Sequence, residues 1–408
     1  MMMDKIKRFS WTESFRDEEN NISFKEEYLF LLDDILYELW SLGCNIILAW
    51  TPSNKGIEVL VVPHYSIGEA ITKDWPDSVE RKISNDNREI VEFLQKIVAG
   101  PKMVSHETLL HVSNLLHCEP QHVELPYIPG KDLPLNTISA LIKRYSLTYV
   151  EDRAVALFDA VGFSHYSPLE QATQLNSLSY SVNTAFSKLM VRGIKIRFAR
   201  TTTGDGFYIW NRNRSLNANV DLYHFMHLVL ADNAIARSKA RSSIVPLLRT
   251  SFHVGGHYEF YQSEGLSPTT FSYIVGDVTI ELARMIDKAK PGQILVGGFQ
   301  TPMLDKDTGK TVRISAVDFI NKAQNRLSSL SDLILGGDPI DSIKCYLTGS
   351  KRAEDKFGIN RYFLKDKHGY TRYVFNAKVN IHRKNSNPIY LGVQDKELTD
   401  FGIAEEWI

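Results

Sequence analysis

The sequence predicts an α+β protein in two parts, a smaller N-terminal module followed by a larger domain, and three observations carry that expectation. Short apolar runs bounded by glycine, asparagine and aspartate read as strands and hairpins, while apolar residues recurring at spacings of three and four read as amphipathic helices. Between the two parts, Pro120, Pro126, Pro129 and Pro134 punctuate the stretch 119–135, which reads as a semi-rigid linker.

In the first part, Ser23 and Glu26 have the spacing of a capping box, Tyr28, Leu32, Ile35 and Leu39 form a helical stripe, and Gly43 supplies the stop. Two strands, 46–50 and 57–62, are joined through Asn54-Lys55-Gly56 as a hairpin, and further helices are expected at 87–99 and 106–117. Residues 1–118 are therefore expected to form an N-terminal α+β domain, and 119–147 a linker with a helix at 136–146. His106, His111 and His117 share one expected helix, but their spacing and the absence of companion carboxylates argue against a metal site.

The second part carries the chemistry. An apolar run at 154–158 reads as a buried strand delivering Asp159 at its end, and Gly162 follows where the backbone can approach a ligand closely. Leu175, Leu178, Val182, Phe186 and Leu189 then mark an amphipathic helix over about 168–192. A strand end, a glycine and the following backbone N–H groups make a phosphate cradle. Residues 194–199 and 207–210 read as a hairpin turning through Gly204-Asp205-Gly206, with Asp205 at the tip. Asp-Gly is a common turn dipeptide, and only the company of Asp159 gives it a second meaning. Two carboxylates on adjacent strands can hold two divalent ions about 3.5 to 4 Å apart, and Mg²⁺ or Mn²⁺ suits such oxygen ligands. The order and spacing of these pieces point to a metal-bound nucleoside triphosphate.

Composition narrows the class. The 408 residues include 43% hydrophobic ones, ample for a sizeable core, and 47 basic residues nearly balance 48 acidic ones, leaving a formal charge of −1 and no global electrostatic case for nucleic acid or an anionic membrane. Cys44, Cys118 and Cys345 are few, odd in number and widely spaced, which predicts reduced thiols. No apolar run approaches the roughly 20 residues of a membrane span, and the start MMMDKIKRFS lacks a signal peptide's apolar core, so a cytoplasmic location is expected. No GxSxG element, catalytic Cys–His signature or Walker loop is present.

In combination the motifs resemble the class III nucleotidyl cyclases, which convert a nucleoside triphosphate to a 3′,5′-cyclic monophosphate and pyrophosphate. LFDAVGFS (157–164) resembles the family's first metal motif and TTTGDGFYIW (201–210) the second. LLRTSFHVGGHYEF (247–260) resembles the central strand pair, YIVGDVTIELARMIDKAKPGQILVG (273–297) the following strand–helix–strand, and RYFLKDKHGYTRYVFNAKVNI (361–381) the terminal hairpin. The resemblance spans about 150–395 and implies a ferredoxin-like catalytic domain over 148–408, a central mostly antiparallel sheet with flanking helices, with an insertion at about 301–360. That insertion begins with DKDTGK and carries an amphipathic helix from Ser315 on, with Phe319, Ala323, Leu327 and Leu330 on one face. Gly336-Gly337-Asp338 within it reads as a turn, and Arg237, Lys239 and Arg241 as a solvated helix end. The N-terminal domain is then open to two readings, a degenerate cyclase-like module or an unrelated sensory or dimerisation module.

The resemblance implies roles residue by residue. Asp159 and Asp205 match the metal-binding aspartates, and the Ala160 carbonyl a backbone ligand to two Mg²⁺ or Mn²⁺ ions. Gly162, Phe163 and Ser164 match the phosphate loop, and Gly204 belongs to the substrate-binding turn. Arg284 matches the arginine that reaches across a homodimer to the charge developing on the α-phosphate, a role suited to a planar, permanently charged group. Lys365 aligns with the lysine that contacts the terminal phosphates, and Lys367 competes for that role.

The departures concern the base and the ribose. Thr201 and Tyr273 stand where adenine-specific members have a lysine and an aspartate, and this chain also lacks the guanine-reading glutamate and small polar residue. A threonine, and a tyrosine that adds bulk and a stacking face, suit a smaller base, UTP or CTP. This is similar to the pyrimidine cyclases of the bacterial Pycsar antiphage systems, in which a separately encoded effector reads the cyclic nucleotide. The alternative is that both are ordinary strand residues in a cyclase that selects ATP by other contacts. Ile280 occupies the position of an asparagine that orients the ribose, with Thr279 able to substitute only if the helix register shifts; this departure favours a nucleotide-binding pseudocyclase.

Overall fold

The computed structural model describes residues 22–72, 85–242, 244–263, 270–351, 357–366 and 369–407. The chain divides into two compact units, one of residues 1–149 and 258–274, the other of 150–257 and 275–408.

The first unit begins with α1, Ile22–Trp40, so Ser23 lies inside the helix and not at its cap, and the helix runs into a 3-10 turn that ends at Gly43. The expected hairpin is β1, Asn45–Ser53, paired antiparallel with β2, Gly56–Pro63. After α2, Ser66–Thr72, the two expected helices are α3, Asn85–Ala99, and α4, His106–Leu116, the latter capped by Ser105, whose hydroxyl accepts from the Thr108 N–H. His106 faces Glu58 at 2.9 Å.

The proline-punctuated stretch is not a linker. It supplies β3, Gln121–Glu124, which extends the hairpin as a third strand beside β2, and it buries Leu125, Tyr127 and Leu133 in one core with Leu32, Leu36, Trp50 and Ile57. The helix after it, α5, Leu135–Ile142, buries Ile138 and Ile142 in that same core, so it completes the N-terminal unit and does not lead out of it. Prolines here start and stop strands and turns whose apolar neighbours point inward, and burying each such side chain contributes about 1.5–3 kcal/mol.

The second unit holds most of a sheet of twelve strands with the order β12-β13-β15-β9-β7-β4-β6-β5 along its main path; the end of β7 and nearly all of β8 fall in residues 258–274, counted with the first unit. In chain order the elements are β4, Thr148–Ala160; α6, Pro168–Val191; β5, Phe198–Thr202; β6, Gly206–Asn211; α7, Leu216–Lys239; β7, Leu248–Ser263; β8, Thr270–Val275; α8, Asp277–Ile286; and β9, Ile294–Gly297. They continue with β10, Gln300–Asp305; β11, Lys310–Ser315; α9, Ala316–Arg326; β12, Ile334–Leu335; β13, Asp338–Leu347; β14, Ile359–Lys365; β15, Thr371–Arg383; β16, Ile389–Leu391; and β17, Gly402–Trp407. The pairings β12–β13, β13–β15, β14–β15, β14–β17, β15–β16, β15–β9, β4–β6 and β5–β6 are antiparallel, and β7 with β9 is parallel. The result is an α+β architecture on a large, mostly antiparallel sheet.

Three expectations need correction. Residues 247–260 form one long strand, β7, and not a strand pair; its partner in the ribbon is β8. The hairpin β14–β15 is not terminal, because β16 pairs with β15 and β17 with β14 after it. The stretch 301–360 is no appended insertion: β13 lies directly beside β15, and α9, capped by Ser315, sends Phe319, Ala323 and the following Leu327 and Leu330 into the main core. Gly336 and Gly337, both at positive φ, make the β12–β13 turn.

That core lies on one sheet face. Leu178, Val182, Ala185 and Leu189 of α6 meet α7, which is buried nearly all round, and both cover Ala154, Ala156 and Phe158 of β4. Alternation along the strand therefore turns Leu157 and Asp159 to the other face. On that face lies α8: Tyr208, opposite Leu157, donates to the Thr279 carbonyl at 3.2 Å, and Ser251 of β7 donates to the Leu282 carbonyl at 3.2 Å.

Candidate active site

The site begins where β4 ends. Asp159 pairs in register with Gly206 of β6, and a Cβ at Gly206 would lie 1.8 Å from the Phe158 carbonyl oxygen, so only glycine lets the hairpin press this closely on β4. The Ala160 N–H donates to the Asp205 carbonyl at 3.1 Å, and the Thr203 hydroxyl contacts Asp205 Oδ1 at 3.2 Å. Gly204, at φ +99°, turns the hairpin, and its N–H donates to the Thr202 hydroxyl at 3.0 Å. Backbone geometry thus sets the two carboxylates side by side. Beyond β4, Gly162 adopts φ +68° and opens a 3-10 turn over Phe163, Ser164 and His165, which leads to Ser167, the cap of α6, in a full capping box with Glu170. Gly162 and Ser164 are exposed.

Asp159 is only 6% exposed. Burial pushes its carboxyl above the usual range, the Arg249 guanidinium pulls it back, and the neighbouring Asp205 carboxylate pushes it up again. Arg249, on β7, donates from Nε to Asp159 Oδ2 at 2.5 Å and from Nη1 to the Ala289 carbonyl at 3.4 Å. Arg249 went unnoticed in the motif reading. Its signal is a single basic residue in the apolar strand LLRTSFHV, whose partner lies far away in sequence.

Arg284, on α8, has a different set of charged neighbours. Its guanidinium lies 3.9 Å from Asp287 and 3.9 Å from Asp366, the residue that follows Lys365 at the end of β14. Arg372 of β15 pairs with Asp366 at 3.2 Å and with Glu281 of α8, so this helix is tied to the β14–β15 turn. Lys365 is exposed at the last position of β14, and Lys367 lies outside the described residues. The structure therefore brings Asp159 together with Asp205, and Arg284 together with the turn beside Lys365.

The residues expected to read the substrate's base and ribose are placed as follows. Thr201 is a half-buried residue of β5 opposite Tyr208. Tyr273, on β8, belongs to the first unit, where its ring stacks on Phe260 at 5.7 Å and 20°. Ile280 is 50% exposed on α8. The Thr279 hydroxyl donates to the Gly276 carbonyl at 2.8 Å and accepts from the Gly276 N–H at 3.2 Å, so it is used in capping α8 and is not turned outward.

The donor set suits a hard divalent ion. Two carboxylates sit against each other, one of them buried, and a cation would offset the burial and the repulsion that raise Asp159. No group of three His, Cys, Asp or Glu side chains suited to a metal occurs among the described residues, so a third protein ligand would be a carbonyl such as that of Ala160.

No family model matches the chain, and no curated protein matches it. Among solved structures it is similar to the guanylate cyclase domain of RhGC from Catenaria anguillulae in complex with GTP, at 11% identity over 58% of this chain and 99% of that one, with a TM-score of 0.33. It is similar to the adenylyl cyclase CyaB from P. aeruginosa at 11% identity over 59% and 97%, TM-score 0.33. A third is a class III adenylyl cyclase-like ATP-binding protein from Pseudomonas aeruginosa, at 11% identity over 46% and 41%, TM-score 0.31. Likeness at this level carries no argument about chemistry, which rests on the residues themselves. No helix among the described residues is long and apolar enough to cross a membrane.

Proposed function

We propose that this chain is a nucleotidyl cyclase acting on a pyrimidine nucleoside triphosphate, and that its product is the 3′,5′-cyclic monophosphate. The observation that carries the reading is the pairing of Asp159 with Asp205 beside a loop opened by Gly162. In the reaction the substrate's own 3′-oxygen forms a bond to the α-phosphorus, and the bond from that phosphorus to the leaving pyrophosphate breaks. No protein nucleophile is required, so the protein's contribution is alignment and charge.

Asp159, Asp205 and the Ala160 carbonyl would hold Mg²⁺ or Mn²⁺, which when bound neutralises the polyphosphate and favours loss of the hydroxyl proton. The backbone N–H groups at 162–164 receive phosphate oxygens, as such groups do ahead of a helix. Arg284 supplies a permanent, planar positive charge for the α-phosphate of a site completed by a second copy of the chain, and Lys365 a compact one for the terminal phosphates. The pyrimidine preference rests on residue type: neither Thr201 nor Tyr273 provides the charged reader that a purine pocket uses, and either hydroxyl can serve UTP or CTP. The cyclic product would act in antiphage defence through a separately encoded effector.

Binding without turnover is the second reading, favoured by Ile280 and by the engagement of Thr279 in its own helix cap. Purified protein incubated with each of the four triphosphates and Mn²⁺, with products resolved by mass, separates the readings. Cyclic UMP or cyclic CMP is the expected product. Nucleotide bound with no cyclic product supports the second reading, and cyclic AMP as the main product overturns the pyrimidine preference.

A further inference from the structure

Arg249 is fixed more firmly than a solvated arginine. On either side of it the β7 backbone is pinned, the Gly292 N–H donating to the Leu248 carbonyl at 2.9 Å and the Thr250 N–H to the Gln293 carbonyl at 2.9 Å. Its guanidinium spans from Asp159 Oδ2 at 2.5 Å to the Ala289 carbonyl at 3.4 Å. The carboxylate it meets is buried and crowded by Asp205, a placement that costs free energy unless a cation stands beside it. A divalent ion bound by Asp159 would meet this fixed positive charge within a few ångströms, and the two cations would compete for one oxygen.

We propose that Arg249 is the resident counter-cation of the aspartate pair, holding Asp159 Oδ2 until a divalent ion arrives and then yielding it, so that Arg249 sets the metal affinity of the site. The inference rests on Asp159 and Asp205 being the metal-binding pair. Metal loading is an exchange of one cation for another, and the free site is neutralised in advance. Asp159 is thereby held in place without metal, at the cost of a weaker grip on the ion.

The test measures metal, not turnover. Free Mn²⁺ is followed by electron paramagnetic resonance as it is titrated into the full chain without nucleotide, in wild type, Arg249→Gln and Arg249→Lys. Removing a neighbouring cation is expected to tighten binding about tenfold in Arg249→Gln, while Arg249→Lys, which keeps the charge, stays near wild type. Equal or weaker Mn²⁺ binding by Arg249→Gln overturns the proposal. Should that variant fail to fold, the wild-type chain answers by NMR. The Arg249 Nε–Hε signal, identified by its loss in Arg249→Lys, is expected to shift as Mg²⁺ saturates the site, and an unmoved signal overturns the proposal. Absence of cyclic product from a chain that binds Mn²⁺ counts against the cyclase reading alone. Mn²⁺ bound by neither wild type nor Arg249→Gln removes both.

Discussion

The aspartate corner and the Arg284 patch differ in how they are held. Asp159 and Asp205 are positioned chiefly by backbone, through a strand pairing and a glycine that admits no side chain, and one 2.5 Å ion pair from a neighbouring strand is added to these. Arg284 is positioned by side chains alone, 3.9 Å from each of two carboxylates, on a helix tied to a turn through Glu281 and Arg372. The first half is formed before any ligand arrives, whereas the second is a charged side chain with loose partners to exchange. Under the proposed cyclase reading, a rigid aspartate half and an adjustable Arg284 half would suit a site assembled from two subunits.

The largest expected effect tests that division. Asp159→Asn and Arg284→Ala should each lower cyclic-nucleotide formation by about a hundredfold or more, since each removes charge stabilisation at the reacting phosphate. Mixed in equal amounts, the two inactive proteins should recover roughly a quarter of wild-type activity, because half the dimers then hold one intact pair of aspartates facing one intact arginine. No recovery on mixing, with subunit exchange demonstrated, would place Arg284 in the site of its own chain.

A middle-sized effect belongs to the rigid half. Gly206→Ala puts a methyl group against the Phe158 carbonyl, and the strand must shift. Chemical denaturation should show a loss of about 1–3 kcal/mol, and Mn²⁺ affinity should fall with it. A substitution on the adjustable half, Asp287→Asn, which changes a carboxylate that is 60% exposed, should leave stability nearly unchanged. Equal stability losses in the two variants would erase the contrast between the halves.

The smallest effect concerns pH. Burial pulls His224 and His253 down to about 4, and His227 well below its ordinary value. Because the unfolded chain takes up these protons near 6.5 and the folded chain does not until about 4, stability should fall as pH drops through that window. His227 lies fully buried in α7 with neither ring nitrogen hydrogen-bonded, so His227→Leu should raise the melting temperature at pH 5 more than at pH 8. An equal rise at both values would show that packing, not protonation, governs this position.

Much of the rigid half was legible in the sequence. An apolar run ending in Asp159, a helix stripe after it and an Asp-Gly hairpin are all local patterns; the first two became β4 and α6, while the hairpin became β5–β6 with its first strand at Phe198–Thr202 and not at the expected 194–199. What was not legible depends on distant pairing. The four residues of β3 gain meaning only beside β2, and the prolines around them masked the inward direction of Leu125, Tyr127 and Leu133. In β13 a register shift between Ile340 and Ser342 breaks the period of two that would have announced a core strand, so 301–360 read as an insertion. Arg249 follows the same rule, since nothing near position 249 reveals that its partner is Asp159.

The division of the chain has a consequence for how the protein is made. Its first unit is discontinuous, ending at residue 149 and resuming at 258–274 after a long stretch of the second. On the ribosome, the N-terminal unit must therefore wait for a late strand ribbon, while β4 and α6 of the other unit have already emerged. A fragment cut at residue 149 would keep the buried side chains of its cores and lose the packing of Tyr258 against one of them. Completing the first unit is accordingly expected to be a late event in synthesis, after residue 258 has emerged.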